Sequence, residues 1–441
     1  MFLFDREILD RLDPDDRRVA WIRESVLALD KRLRGFGSRL HVLHGQPNPE
    51  LSRLIKSLPD LRSVHCVHDQ EPRRKARDLE IDKFCQSIGV SFRSWKDVTV
   101  LERDELLNGS GLPYRVYTPY RNAWRRRIEA DPSLLERSPS LELCHWLAPE
   151  AEHPSGGSVP SLAELGFPAH RSLLPSGEEG AQALLREFRT RRTAYEAMRD
   201  VPAVEGTSRL SLALRFGTVS VRALLREAWT ESVKWCDELA WREFHHMLLW
   251  HFPHTCVRAF QERFEALEWD NPDADPTACR RLEAWQQGLT GFPAVDAAQR
   301  ELLATGGMHN RMRMVSASFL TKDLHIHWSH GERWFARHLL DYDMAANVGN
   351  WQWAASTGAD GQPWFRIFHP TTQGRRWDPE GTYISRHCPE LAGLEPKWIH
   401  EPDAAPPLLR PTGYPAPIVD HALERTIALE RFAKATGKEP S

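Results

Sequence analysis

The stretch Asp341–Trp353, Asp-Tyr-Asp-Met-Ala-Ala-Asn-Val-Gly-Asn-Trp-Gln-Trp, combines carboxylates, amides and indoles in one predicted helix. Asp343 and Asn347 are four residues apart, so on a helix they share a face and can address one ligand. Trp351 and Trp353 are about 200° apart around a helix and must face different environments. The stretch therefore predicts a helix with a polar pair for one ligand and two tryptophans for two different tasks.

A second segment with the same mixture precedes it, Met308-His-Asn-Arg-Met-Arg-Met314. On a helix, Asn310, Arg313 and Met314 fall on one face because they are three and four residues apart. This spacing predicts a second helix with a polar face.

The segment Trp235–His245 places Glu238, Trp241, Arg242 and His245 at helical spacings of three, four and seven residues. A solvated face rarely carries a tryptophan, and a core face rarely carries Glu and Arg together. We therefore favour a helix that lines a polar cavity. An exposed Glu–Arg pair with a tryptophan packed at its edge stays the alternative.

The segment Glu205-Gly-Thr-Ser-Arg-Leu-Ser211 places three hydroxyls and an arginine after a glycine, just ahead of an apolar helical stretch. Backbone N–H groups, hydroxyls and a cation at a helix N-terminus can bind a phosphate. A simple helix N-cap needs only one of these hydroxyls, and it is the alternative interpretation.

The first 115 residues alternate between apolar runs and amphipathic helical stretches, which predicts a parallel sheet with helices on its faces. A Gly, Pro and Ser-rich segment from Pro154 to Gly180 predicts an interdomain linker. From Glu178 onward the pattern is helix after helix, so we expect an all-α second domain. The predicted strands are Met1–Phe4, Leu40–Leu43, Ser63–Val67 and Val90–Trp95, and the predicted helices between them are Arg18–Leu33 and Arg74–Ile88.

Composition limits the class of protein. A chain of 441 residues predicts two domains, and a net charge of −3 argues against general polyanion binding while it allows a local basic face. Seven cysteines without close pairs indicate a reducing compartment, so we expect a cytoplasmic protein. No apolar run is long enough to span a membrane, no signal peptide is recognisable, and we expect no metal site. Seventeen tryptophans are many for this length.

Taken in order, these segments resemble the photolyase/cryptochrome family, and specifically the microbial class I photolyases for cyclobutane pyrimidine dimers. The resemblance implies three regions: an α/β Rossmann-like antenna domain over residues 1–115, a linker over 116–177, and an all-α FAD-binding and DNA-repair domain over 178–441. It also implies light-driven repair of dimers in UV-damaged DNA by electron transfer from reduced FAD. We expect a monomer.

The resemblance assigns the FAD-binding side chains by motif position, with Tyr195 and residues 207–211 on the diphosphate side and Asn347 beside the flavin N5. The residues implied for FAD are Tyr195, Thr207, Ser208, Arg209, Leu210, Ser211, Trp235, Glu238, Arg242, Asn310, Arg313, Asp341, Tyr342, Asp343 and Asn347.

Repair requires a dimer that is flipped out of the duplex, because a buried electron donor cannot reach stacked bases. The resemblance implies stacking walls at Trp241 and Trp353 and a hydrogen bond from Glu238 to the thymine edge. The catalytic residues implied are Glu238, Asn310, Met314 and Asn347. Those implied for DNA are Arg199, Glu238, Trp241, Arg242, His245, Asn310, Arg311, Met314 and Trp353, with Arg366 as a further candidate.

Trp351, Trp328 and Trp269 match the family's tryptophan triad, which passes electrons from the surface to photoexcited flavin. Met314 stands where photolyases for (6-4) photoproducts carry a catalytic histidine. Asn347 stands where many cryptochromes carry Asp or Cys. Dimer repair is therefore favoured over a (6-4) photolyase and over a cryptochrome-type blue-light photosensor, which remain the alternatives.

Two parts of the family pattern do not match. Met1-Phe-Leu-Phe-Asp5 resembles the family's second strand, so we expect the first strand to be missing and apolar strand edges to be exposed. Arg73 and Arg74 stand where folate-binding members carry Asn and Glu. The second chromophore is therefore left open between a folate type, a deazaflavin type and none.

Overall fold

The computed structural model describes residues 1–136, 158–169 and 172–437. Much of the predicted linker, at residues 137–157 and 170–171, lies outside the described residues. Within the described part, the contacts divide the chain into two compact units. The first comprises residues 1–107, 121–192 and 208–250, and the second comprises residues 108–120, 193–207 and 251–441.

The first unit contains the predicted parallel strands. The strands β1 (Phe2–Asp5) and β2 (Val42–Gly45) pair in parallel, and so do β3 (Ser63–Val67) and β4 (Ser91–Trp95). Apolar residues of β1 and β2 pack with a helix between them, and β3 and β4 pack with the helices before and after β3. The βα alternation predicted from the sequence is confirmed. Val67, at the end of β3, is 50% exposed.

The helices of the first unit include one that the sequence prediction missed, α3, which begins at two prolines and carries a short apolar stripe. The helices up to residue 250 are α1 (Arg6–Leu9), α2 (Arg18–Gly35), α3 (Pro47–Ser57), α4 (Pro72–Ser87), α5 (Tyr117–Ala130), α6 (Leu162–Leu165), α7 (Gly177–Arg189), α8 (Tyr195–Met198), α9 (Ser211–Phe216), α10 (Val221–Ala228) and α11 (Val233–His251). Of these, α8 lies in the second unit, and the ends of α5 and α11 cross the boundary.

The second unit is helical, and its described residues contain one isolated β-bridge, Asp270 with Ile326. Its core is formed by α13 to α16 around the buried indoles of Trp285, Trp328 and Trp351. The helices are α12 (Pro276–Gln287), α13 (Pro293–Thr305), α14 (Asn310–Ser318), α15 (Trp328–His338), α16 (Met344–Ala354), α17 (Pro370–Trp377), α18 (Thr382–His387), α19 (Pro396–Ile399) and α20 (His421–Thr436), with a π-helix at Phe319–Asp323.

The described helices contain no segment that is both long and apolar enough to cross a membrane. Among the same residues, no group of three or more His, Cys, Asp or Glu side chains could hold a metal ion. Each compact unit is built from separate stretches of the chain, because α9 to α11 cluster with the α/β part. The domain boundaries inferred from the sequence stay a prediction.

Candidate functional site

A cavity lies within the second unit, bordered by α14, α16 and the segment that joins α15 to α16. It brings together nine of the residues that the sequence singled out. These are Asn310, Arg313, Met314, Asp341, Tyr342, Asp343, Asn347, Trp351 and Trp353. Phe335, Leu339 and Asn350 also line it, and the sequence analysis did not name them.

The first turn of α16 is placed by an N-cap. The Asp343 carboxylate accepts a hydrogen bond from the backbone N–H of Ala346 at 3.1 Å, which satisfies a donor at the start of the helix. The backbone N–H of Asn347 donates to the carbonyl of Asp343 at 2.8 Å. Asp343 and Asn347 thus lie one turn apart and border the same cavity, as their spacing predicts.

Asn347 is oriented by Glu332, a residue that the sequence analysis missed. The Asn347 Nδ2 donates to the Glu332 Oε1 at 3.0 Å and to the Glu332 carbonyl at 3.0 Å. The Tyr342 hydroxyl donates to the same carboxylate at 3.3 Å. Burial raises the pKa of Glu332, and these two hydrogen bonds oppose the rise. A glutamate one residue after Gly331, inside an otherwise aromatic stretch, is the sequence signal that could have found it.

On α14 the polar face is held by ion pairing. The Arg313 guanidinium donates to both carboxylate oxygens of Asp341, at 3.1 and 3.0 Å, and to the carbonyl of Met308 at 2.8 Å. The Asn310 Nδ2 lies 3.9 Å from the Met314 sulfur. The predicted common face of Asn310, Arg313 and Met314 is confirmed.

The two tryptophans of α16 differ in burial, as predicted, although both border the cavity. Trp351 is 2% exposed and packs edge-on against Phe335 and Trp285, whereas Trp353 is half-buried. Trp351 approaches α15 at Gly331, where an added Cβ would lie 2.0 Å from the Trp351 ring. The absence of a side chain at Gly331 is therefore what makes room for this indole.

The other two residues of the predicted triad belong to the same core. Trp328 is 1% exposed, and Trp269 is half-buried. Both pack against His327, with ring centroids 5.1 Å from Trp328 and 5.3 Å from Trp269. The sequence analysis named neither His327 nor Trp285.

Helix α11 of the first unit carries the predicted aromatic and charged face. Trp241 stacks on the buried His245, with ring centroids 5.7 Å apart. Arg242 donates from Nη1 to the carbonyl of Val98 at 2.5 Å. The Glu238 carboxylate is 27% exposed and lies 3.8 Å from the Lys234 ammonium. Trp235 is instead buried against Phe188, with centroids 5.0 Å apart.

The predicted phosphate segment spans the boundary between the two units. Tyr195, in α8, is buried beneath the Arg199 guanidinium at 5.5 Å, and Gly206 fits against the Met198 carbonyl, where a Cβ would lie 2.5 Å away. Arg311 pairs with Asp200 at 2.9 Å. Of the remaining predicted residues, Leu210 is buried, Thr207 and Ser208 are half-buried, and Arg209, Ser211 and Arg366 are exposed.

Near the predicted antenna position, Arg74 is engaged by carboxylates of its own unit. It pairs with Asp69 at 2.8 Å and with Glu71 at 3.0 Å, and Arg215 pairs with Glu71 at 2.8 Å. Arg73 is exposed. Arg74 and Arg215 belong to an ion-pair network, and the identity of a second chromophore stays open.

The side chains around the cavity suit a planar heteroaromatic ring with a polar edge. Trp351, Trp353 and Phe335 supply flat apolar surface, while the Asn347 amide and the Arg313–Asp341 pair supply hydrogen-bonding groups. A flavin ring system has this combination of a flat face and an edge of donors and acceptors. The donor set therefore fits FAD.

Comparisons with known proteins agree with this assignment. The DNA photolyase family profile matches residues 1–140, and the profile of the FAD binding domain of DNA photolyase matches residues 235–434. A deoxyribodipyrimidine photo-lyase of Escherichia coli K12 is 38% identical over 83% of this chain and 77% of its own. One of Alkalihalophilus pseudofirmus is 37% identical over 93% of this chain and 86% of its own.

Solved structures agree as well. A bacterial class III photolyase from Agrobacterium tumefaciens has a TM-score of 0.84 at 33% identity, covering 96% of this chain and 89% of its own. A Synechocystis cryptochrome shares the fold, with a TM-score of 0.83 at 24% identity over 97% of this chain and 92% of its own. The chain therefore belongs to the DNA photolyase family, with the α/β domain and the helical FAD-binding domain of that family.

Proposed function

We propose that this protein repairs cyclobutane pyrimidine dimers in UV-damaged DNA, using light and FAD. The observation that carries the proposal is the cavity of the second unit, which combines Asn310, Met314, Asn347 and Trp353 within the region matched to the family's FAD-binding domain. When bound, FAD absorbs the light and supplies the electron. The relatives named deoxyribodipyrimidine photo-lyase support this reaction over the alternatives.

In this proposal the protein's own residues bind and orient the reactants. Asn347 and the Arg313–Asp341 pair hold the polar edge of the flavin, and Tyr195 with residues 207–211 holds its diphosphate. Trp241 and Trp353 are the residues proposed to stack on the flipped dimer, because two linked pyrimidines outside the duplex need flat apolar walls. The Glu238 carboxyl group donates a hydrogen bond at the thymine edge and so stabilises the negative charge that develops there.

The cationic side chains Arg199, Arg311 and Arg366 bind DNA phosphates around the lesion. Phosphate contacts set the position of a protein on DNA without reading its sequence, which suits an enzyme that must find a lesion in any context. Trp351, Trp328 and Trp269 form the route by which electrons reach photoexcited oxidised flavin. The buried Trp351 and Trp328 and the half-buried Trp269 suit a route from core to surface.

We also propose a cytoplasmic monomer. The described cysteines form no disulfide, and a reducing compartment keeps thiols in this state. Residues 1–115 would form the antenna domain and residues 178–441 the domain that binds FAD and DNA.

The test is dimer repair by purified, reduced protein on UV-irradiated oligothymidine, in blue light and in the dark. We expect light-dependent loss of dimers, and about a tenfold lower yield for Glu238→Ala because a stabilising contact to the developing charge is lost. Lys234→Ala, which removes the neighbouring cation but leaves the Glu238 carboxylate, is the matched control and should repair as the wild type does.

The alternatives give different results in the same assay. Bound and photoreduced FAD without any loss of dimers would support a photosensor instead. Repair of an oligonucleotide with a (6-4) photoproduct, but not of the dimer, would support a (6-4) photolyase.

A further inference from the structure

His327 lies between two of the proposed electron carriers. Its imidazole packs edge-to-face against Trp269, with centroids 5.3 Å apart and planes at 85°, and against Trp328 at 5.1 Å and 38°. No aromatic contact links the two indoles directly among the described residues, so this imidazole is the ring they share.

The hydrogen bonds of His327 require a neutral ring. His327 is the N-cap of α15, and its Nδ1 accepts a hydrogen bond from the backbone N–H of Ser329 at 3.2 Å. The same Nδ1 lies 2.8 Å from the Ser329 hydroxyl, which donates to it when the nitrogen carries no proton. A histidine nitrogen that accepts a hydrogen bond carries no proton, so the proton of this ring is on Nε2. Protonation of Nδ1 would break the cap.

The groups around His327 also favour the neutral form of its ring. Burial, helped by the nearby His330 and Arg333 of α15 and opposed by Glu265, lowers the pKa of His327 to about 4. The imidazole is therefore uncharged at neutral pH.

The neighbouring indoles are places where positive charge would persist. The N–H groups of Trp328 and Trp351 are buried and have no hydrogen-bond acceptor among the described residues. No described protein group is placed to take the proton of an oxidised indole there, so its positive charge is not neutralised by the described residues. A fixed cation in contact with these rings would oppose its formation, because charges this close in a protein interior interact strongly.

We propose that His327 is a positioning residue for electron transfer, an uncharged spacer that fixes Trp269 and Trp328 and leaves positive charge free to move between them. The inference rests on the proposed role of these tryptophans. In the step concerned, one electron passes from Trp269 to the Trp328 radical cation, which returns to neutral indole. Trp269 then releases its N–H proton to water, and an added thiol restores its electron.

The experiment is flash photolysis of the FAD-loaded protein with oxidised FAD, recording the yield of long-lived tryptophan radical. His327→Gln, which keeps a neutral polar side chain, should stay within about threefold of the wild type, and His327→Lys should fall at least tenfold. His330→Lys adds a cation about one helical turn from His327 and is the matched control. We expect its radical yield to resemble that of the wild type. FAD content is measured for each variant to verify folding.

Trp328→Phe distinguishes a failure of the proposed electron route from a failure of the inference about His327. If this variant keeps the wild-type radical yield, the proposed electron route is wrong. If it abolishes the yield while His327→Lys does not change it, or if His327→Gln and His327→Lys lose it equally, the inference about His327 is overturned.

An independent measurement needs no light and no charged variant. In an NMR pH titration, with His327→Gln used to assign the signal, the His327 ring should be neutral at pH 7 with its proton on Nε2. A protonated ring, or a proton on Nδ1, would also overturn the inference.

Discussion

At the scale of single residues, the cavity depends on side chains that hold other side chains. Asn347 is fixed by two acceptors of Glu332, its carboxylate and its main-chain carbonyl, and Arg313 by the carboxylate of Asp341. An amide that is already oriented loses less freedom when a ligand binds, so such contacts contribute to affinity without touching the ligand.

Glu332→Ala should therefore weaken FAD binding. The loss of one oriented hydrogen bond is worth about 1 kcal/mol, so we expect the Kd for FAD to rise about fivefold. Glu332→Gln retains an oxygen that can accept from the Asn347 Nδ2 and should bind nearly as the wild type does. Titration of apoprotein with FAD, followed by flavin fluorescence, measures both. Equal weakening in the two variants would contradict an orienting role.

At the scale of elements, the packing of α15 against α16 is set by a missing side chain. Trp351 sits over Gly331, where a Cβ would meet the indole at 2.0 Å. The indole could escape such a contact only by leaving its rotamer or by separating the helices. Either movement would disturb the wall of the cavity that Trp351 forms.

Gly331→Ala should destabilise the protein by about 2 kcal/mol or more, because overpacking a filled core costs about that much. Gly35→Ala is the control: it lies at the end of α2, and no atom lies within 4 Å of an added Cβ. We expect that change to be neutral or slightly stabilising, since alanine lowers the entropy of the unfolded chain. Urea denaturation gives both values, and an unchanged midpoint for Gly331→Ala would show that Trp351 can move without cost.

At the scale of the whole molecule, each unit contains buried carboxylates whose charge opposes folding. In the first unit Glu243 accepts hydrogen bonds from the backbone of Val100 and Leu101 and from the Trp124 indole, each at 2.8 Å. Burial raises its pKa to about 7 in spite of these bonds. In the second unit burial raises the pKa of Asp323 to about 6, against the opposing effect of His421.

When folding raises the pKa of an acid, the acid stabilises the folded state fully at pH values below its pKa in the unfolded chain. This stabilisation is lost as the pH rises through the pKa of the folded state. For Glu243 this window runs from the usual glutamate value of 4.5 to about 7, and it corresponds to on the order of 3 kcal/mol. We expect the urea midpoint of the wild type to fall between pH 5 and pH 8.

Glu243→Gln should lower stability at pH 5, since an amide N–H₂ would face backbone donors, but should flatten the fall with pH. Glu129→Gln, an exposed change on α5, should keep the wild-type pH dependence. A pH profile of Glu243→Gln as steep as that of the wild type would assign the dependence to other groups.

The sequence by itself determined which residues can share a face, because helical spacing is a local property. It predicted the βα alternation of the first unit. It also predicted one common face for Asn310, Arg313 and Met314 and another for Asp343 and Asn347, and these segments together resemble the family. Tertiary structure alone decided the contacts between distant segments. Glu332 under Asn347, Gly331 under Trp351, and His327 between Trp269 and Trp328 arise from how helices pack, and side-chain contacts across helices leave no periodic signal in the chain.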